Sequence, residues 1–308
     1  MSLHNPAIPP HNEAQIQNDW SMQGKIESRG AAIWRRYRKN KLAVIGLIII
    51  VIYVILALAA PLFSDYDPEY FDLMNSDMPP SFQHPFGTDS LGGDVFIRSL
   101  FGARISLSVA IIAMLITLVI GVAYGAISGY FGGIVDTIMM RIVDALQSIP
   151  SFFLLLIIAA SMTPTMWSTI LAISLLGWMS MSRIVRSEIL SLRQRDYAAA
   201  ALATGESKPG IIFYHILPNA IAPIIVIATL EVAGNILYEA TLSFLGLGIQ
   251  PPTPSWGNML SSAQEIVTLT MYPWTAVFPG LFIMVAVLSV NFIGDGLRDA
   301  LDPKMKDK

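Results

Sequence analysis

Long uncharged stretches, separated by short charged ones, organise this chain. Leu42 to Phe63 runs for 22 residues without a charge. A helix of that length reaches about 33 Å, enough to cross a hydrocarbon core of about 30 Å. It is the first predicted span, and Asp65 and Pro68 end it. Ile105 to Val135 is the next uncharged stretch and predicts a second span over residues 105–129. Ala145 to Ser182 is uncharged for 38 residues. One helix over it would measure about 57 Å, too long for a single crossing. Proline disfavours helix at the residue before it, so Met162-Thr163-Pro164-Thr165 predicts a break. Two spans then fit, over 141–162 and 166–183, with a kink at Pro150. Residues 220–246 are apolar apart from Glu231 and Glu239 and predict a fifth span. Trp274 to Ile293 predicts a sixth, opening on an interfacial tryptophan.

The charges orient this layout. Residues 1–41 are polar, with no apolar run near Met1, so no cleavable signal peptide is expected; residues 1–24 read as a loose tail. With six spans and the N-terminus inside, 17 of the 19 Lys and Arg fall on the inside. Only Arg98 and Arg104 fall outside, and the outer loop carries seven acids, Asp65 to Asp94. This is the positive-inside pattern. Five crossings would strand Arg298, Lys304, Lys306 and Lys308 outside, which favours counting 220–246 as a span. The expected fold is an all-α integral membrane protein with six transmembrane helices and both termini cytoplasmic. Its parts are a tail (1–41), a first transmembrane helix (42–63), an extracytoplasmic loop (64–104), a core domain (105–294) with five transmembrane helices and a cytoplasmic loop (183–219), and a second tail (295–308).

Composition narrows the chemistry. The chain is 54% hydrophobic and 13% charged, about half the charge of a soluble domain. It has no cysteine, which excludes thiol catalysis and cysteine-ligated zinc. His4, His11, His84 and His215 form no i, i+4 pair for zinc, and there is no phosphate-binding loop or G-x-S-x-G elbow. No enzyme, metal site, cofactor site or nucleic-acid binding is expected. Transport, channel formation or a membrane scaffold remains.

Three sets of residues stand out. Ser187 to Thr204 predicts a helix rich in small residues, with Gly205 as a left-handed cap. Pro209 starts a second short helix that ends before Pro218. This loop reads either as an amphipathic connector on the headgroups or as a docking surface. Gly121, Gly125, Gly129 and Gly133 recur at i+4 and make a groove for a close helix neighbour, in this chain or a partner. Glu231, Asn235 and Glu239 make a polar stripe. A carboxylate facing lipid is costly, so the stripe faces protein or a watery passage. Arg141 and Asp144 are spaced to pair at i, i+3.

Residues 183–219 resemble the cytoplasmic E-A-A-x3-G-x9-I-x-L-P motif of type I ABC importer permeases. Ala199-Ala200-Ala201, then Gly205, then His215-Ile216-Leu217-Pro218 keep every spacing. Ala199 stands at the family's Glu and His215 at its Ile. The string ending Pro218-Asn219 is similar to that of oligopeptide and dipeptide permeases. Lys39 to Ala43, Pro85 to Asp89 with Leu91-Gly92, Glu239 to Gly248, Pro254 to Gly257 and Gly294 to Pro303 resemble further signatures of their C-type subunit. Gly93 stands where that family often has Arg. The resemblance implies a permease of the bacterial cytoplasmic membrane that forms half of a translocation pathway; Glu231, Asn235 and Glu239 are a candidate lining, with interhelical hydrogen bonding the alternative. It implies coupling to ATPases through Tyr197, Ala198 to Ala201, Gly205 and His215 to Asn219. The implied partners are a B-type permease, two ATPase subunits that use ATP and Mg, and an extracytoplasmic peptide-binding protein. Nickel import within the same family is the alternative cargo. An ion-coupled secondary transporter, for which inverted repeats are expected, is the alternative class.

Overall fold

A computed structural model describes residues 28–63, 72–261 and 264–302. The loose N-terminal tail, Asp65, Pro68 and the last lysines lie outside these residues. Among the described residues the chain is helical, and its only β feature is a bridge between Thr88 and Asp94. The helices are α1 (Arg29–Lys39), α2 (Lys41–Phe63), α3 (Val95–Phe131), α4 (Gly133–Gln147), α5 (Ser151–Ala160), α6 (Met166–Arg193), α7 (Asp196–Ala203), α8 (Lys208–Phe244), α9 (Trp256–Ser261), α10 (Ile266–Met271) and α11 (Trp274–Leu301). Five of them, α2, α3, α6, α8 and α11, are long and apolar enough to cross a membrane. The pair α4 and α5 makes a sixth crossing if counted as one, but it bends by 80°. The predicted third span, 141–162, is therefore two short helices. They part at Ser148-Ile149-Pro150, because Pro150 carries no N–H to continue the ladder and caps α5 in an extended conformation.

Three other boundaries differ from expectation. α3 starts at Val95, not near residue 105. Its start is set by a cap, the Asp94 carboxylate accepting from the Ile97 N–H at 3.0 Å. Arg98 is tolerated in the first turn because it meets Asp89 at 3.2 Å. Residues 187–204 are not one helix. The stripe of α6 that packs on α3 ends at Ile189, and the polar run Gln194-Arg195-Asp196 has no apolar face to bury. The chain turns at Arg195 and restarts as α7, which buries Ala198 and Ala201. The helix begun at Pro209 does not stop before Pro218. Residues Ile211–Ile216 adopt the wider π form, in which Leu217 N–H bonds to Ile212 O. The wider turn makes room for the Pro218 ring, and the helix runs on to Phe244.

The most extensive helix pair is α3 with α6. A Cβ at Gly121 would fall 2.5 Å from Met181 Cγ, one at Gly125 would fall 2.4 Å from Ser182 O, and one at Gly129 would fall 2.8 Å from Arg186 O. The groove thus serves packing within this chain. Gly133 is not part of it: α3 has ended, Gly132 and Gly133 both have positive φ, and a Cβ on Gly133 would meet nothing.

Between α2 and α3, residues 72–94 are folded rather than a loose loop. Thr88 Oγ1 donates to Asn75 O and accepts from Met78 N–H, and Trp274 Nε1 donates to Thr88 O. Phe86 stacks on Phe278 with ring centres 3.9 Å apart. Burial, and then the charge of Asp89, hold the Asp77 carboxyl above its ordinary range.

The glycine face generates a test. Gly125→Leu should destabilise the subunit by about 1–3 kcal/mol, because the obstructing atoms are backbone and cannot swing away. Gly234→Ala, where a Cβ meets nothing within 4 Å, should leave the thermal midpoint in detergent unchanged or raise it. Equal midpoints for the two variants would contradict this account of the α3–α6 contact.

Candidate coupling site

α7 is short, and its two faces differ. Ala198 and Ala201 are buried in a cluster with Ile189, Ile211, Ile212 and Ile216. Tyr197, Ala199, Ala200, Leu202 and Ala203 are exposed. Alanine on the inner face lets α7 lie close to the start of α8, and alanine on the outer face leaves a shallow surface.

Gly205 ends α7. Its φ is +81°, a conformation in which a Cβ is strained. Glu206 N–H reaches back to Ala201 O and Gly205 N–H to Leu202 O, at 3.2 and 3.1 Å. These two bonds are the Schellman pattern and satisfy carbonyls the helix end leaves open. The return turn is tied by side chains. Ser207 Oγ accepts from Gly210 N–H, and His215 Nε2 lies 2.7 Å from Glu206 Oε2. Asn219 Nδ2 donates to His215 O at 2.6 Å. Ile216 is buried and Leu217 half-buried, while Pro218 and Asn219 are exposed. The motif residues thus form one connected turn between α6 and α8. Sequence reasoning missed the Glu206–His215 pair, because nine residues separate its members and only the π segment brings them together.

Ion pairs brace the base of this unit. Asp136 on α4 is bound by Arg186 on α6 and accepts from Ser128 Oγ–H. Asp144 meets Arg183 at 2.5 Å. The expected Arg141–Asp144 pair does not form, since Arg141 points outward and α6 supplies the nearer cation.

The polar stripe of α8 divides. Glu239 is fully enclosed. Ser106 Oγ–H and Ser243 Oγ–H donate to its two oxygens at 2.7 and 2.8 Å. Ser106 also accepts from Trp256 N–H, and Ser243 from Ile249 N–H. Asn235 is buried and donates to Ala110 O at 3.1 Å. Glu231 is only half-buried. Its Oε1 and Thr117 Oγ1 lie 2.5 and 2.7 Å from where a Cβ on Gly177 would be, and its Oε2 finds no hydrogen-bond partner.

Comparison with known proteins bears on this arrangement. Residues 121–307 match the family described as binding-protein-dependent transport system inner membrane component. The chain belongs to this family. Residues 28–80 also match the N-terminal TM domain of oligopeptide transport permease C. The oligopeptide transport system permease protein OppC of Bacillus subtilis is 44% identical over 286 residues, 92% of this chain and 93% of that protein. The dipeptide transport system permease protein DppC of Alkalihalophilus pseudofirmus is 44% identical over 273 residues, 89% of each. OppC of Haemophilus influenzae is 40% identical over 91% of each chain. The chain is therefore a multi-pass inner membrane component of an ABC transporter, a permease subunit rather than an enzyme in its own right.

The Glu239 knot generates a test. Ser106→Ala removes the donor to a fully buried carboxyl and the acceptor for Trp256 N–H. It should cost about 1–3 kcal/mol, read as a lower thermal midpoint of the purified subunit. An unchanged midpoint would mean that the knot contributes nothing to holding α3, α8 and the 249–256 segment together.

Proposed function

We propose that this chain is the C-type transmembrane subunit of an ATP-driven importer of oligopeptides or dipeptides. It forms half of the translocation pathway beside a homologous B-type permease. Two ATPase subunits, which bind ATP and Mg, dock on the cytoplasmic side, and an extracytoplasmic binding protein delivers the peptide. Both termini and residues 183–219 face the cytoplasm, as the distribution of basic residues requires. The observation that carries the reading is α7: a short helix with an exposed small-residue face, stopped sharply at Gly205 and mounted at the end of the α3–α6 pair. The peptide cargo is supported by the names of the relatives.

The geometry suggests how the subunit responds. The inner face of α7 bears on Ile211, Ile212 and Ile216, which begin α8. A push on α7 is thus delivered to α8, the helix that carries Glu231, Asn235 and Glu239. The Asp136–Arg186 and Asp144–Arg183 pairs hold α4 to α6, so the base moves as a unit. ATPase closure displaces α7 and tilts α8, opening the pathway alternately to each side.

Two experiments test this reading. A single cysteine replacing Ser207 should resist impermeant thiol reagents in intact cells and react after permeabilisation; labelling in intact cells would invert the topology. Gly205→Val should insert normally, since no membrane helix is touched, but should lose ATPase pull-down or peptide uptake by tenfold or more, on the order of 1.4 kcal/mol. Ala199→Glu, on the exposed face, should be tolerated. Parent-like assembly and uptake in Gly205→Val would reduce the loop to a membrane-surface connector.

A further inference from the structure

A small cavity of about 280 Å³ lies between the end of α3 and α7, with Tyr130, Phe131, Arg193, Leu202 and Lys208 in its wall. Two cations enter it from different elements. Arg193 is the last residue of α6 and Lys208 the first of α8. The Arg193 guanidinium stands 5.7 Å from the Tyr130 ring centre, and Lys208 Nζ stands 5.7 Å from that of Phe131. The rings hold both cations in place without cancelling their charge.

Among the described residues Arg183 and Arg186 have carboxylate partners, while Arg193 and Lys208 have none within ion-pair distance. Glu206, the acid nearest Lys208 in sequence, is engaged by His215. The C-termini of α3 and α6 contribute at most about half a negative charge each.

The rim is apolar. Phe131 is 47% exposed and Leu202 60%. A soluble anion has no use for such a rim; an amphiphile with a negative head does. We propose that the cavity holds the phosphate of an anionic phospholipid between Arg193 and Lys208, with its acyl chains leaving along the exposed apolar rim at Phe131 and Leu202. Basic pockets between membrane helices on the cytoplasmic side suit such headgroups. The inference takes its leaflet from the orientation proposed above. Because α7 forms one wall, a bound headgroup also props the docking helix against α3.

The test uses the complete transporter, purified and exchanged into nanodiscs of phosphatidylcholine with graded phosphatidylglycerol. Lipid retained by the membrane subunits is counted by native mass spectrometry. The parent should prefer phosphatidylglycerol by about fivefold per cation, or about 25-fold for the pair. Arg193→Gln with Lys208→Gln should abolish the preference, while Arg141→Gln, an exposed cation on α4, should keep it. Preference surviving in the double variant would overturn the proposal. So would displacement of the lipid by glycerol phosphate at equal concentration, which would mark a soluble-anion site. ATPase loss from the double variant in every lipid mixture, with lipid preference intact, would assign the cations to the ATPase instead. Lipid is read on the membrane subunits whether or not the ATPases stay bound, so failure of the docking reading leaves this readout standing.

Discussion

The absence of side chains along one face of α3 is the constraint on which the other contacts rest. At Gly125 and Gly129 the backbone of α6 comes so near that a methyl group would collide with it, and at Gly121 the Met181 side chain does the same. Inside a bilayer, lipid is as apolar as leucine, so helices gain little from hiding apolar surface. They gain from close contact. The α3–α6 pair supplies that contact over three turns and gives the remaining helices a fixed body to attach to. α4 attaches through Asp136 and Asp144, α8 through Asn235 and Glu239, and α7 through the cluster around Ile189.

Polar groups in the membrane helices divide between fastening and reserve. Glu239 and Asn235 are fasteners: each is enclosed, and each is bonded to α3 or to a residue that touches it. Their burial is tolerable because the donors are in place, and an unpaired carboxyl there would be strongly unfavourable. Glu231 is different. It is half-buried, leans over Gly177 toward Thr117, and leaves one oxygen without a partner. Glycine at 177 is what makes the room. Of the three stripe residues, Glu231 is the one with chemistry left to offer.

The turn between α6 and α8 combines a hard stop with a stiff mount. Gly205 supplies the stop, because the positive φ and the two back-bonds end α7 within one residue. The Glu206–His215 pair and the π segment supply the mount by joining the return turn to α8 without a hinge. A rigid link is what transmission requires: a force on the exposed face of α7 is delivered to α8 only if the turn between them does not absorb it. Arg193 and Lys208 flank the same turn, the last residue of α6 and the first of α8.

Hydropathy and charge by themselves determined that the chain is a multi-pass helical membrane protein, where five of its long helices lie, and that Gly205 caps a helix. Those features depend on local chemistry: a run of apolar residues, a proline, a glycine that tolerates positive φ. Tertiary structure decided what depends on a neighbour distant in sequence. The start of α3 is set by Asp94 and the Asp89–Arg98 contact, so a rule based on uncharged length put it ten residues late. The kink read from Pro150 is there, but its size, an 80° bend between α4 and α5, was not legible from the proline alone. Asp144 chose Arg183 over Arg141 because α6 lies against α4. Glycine spacing announced a groove, yet only the placement of α6 showed that this chain fills it and that Gly133 stands outside. A residue's own chemistry is written in the chain, whereas the partner that uses it is chosen when distant segments are brought together.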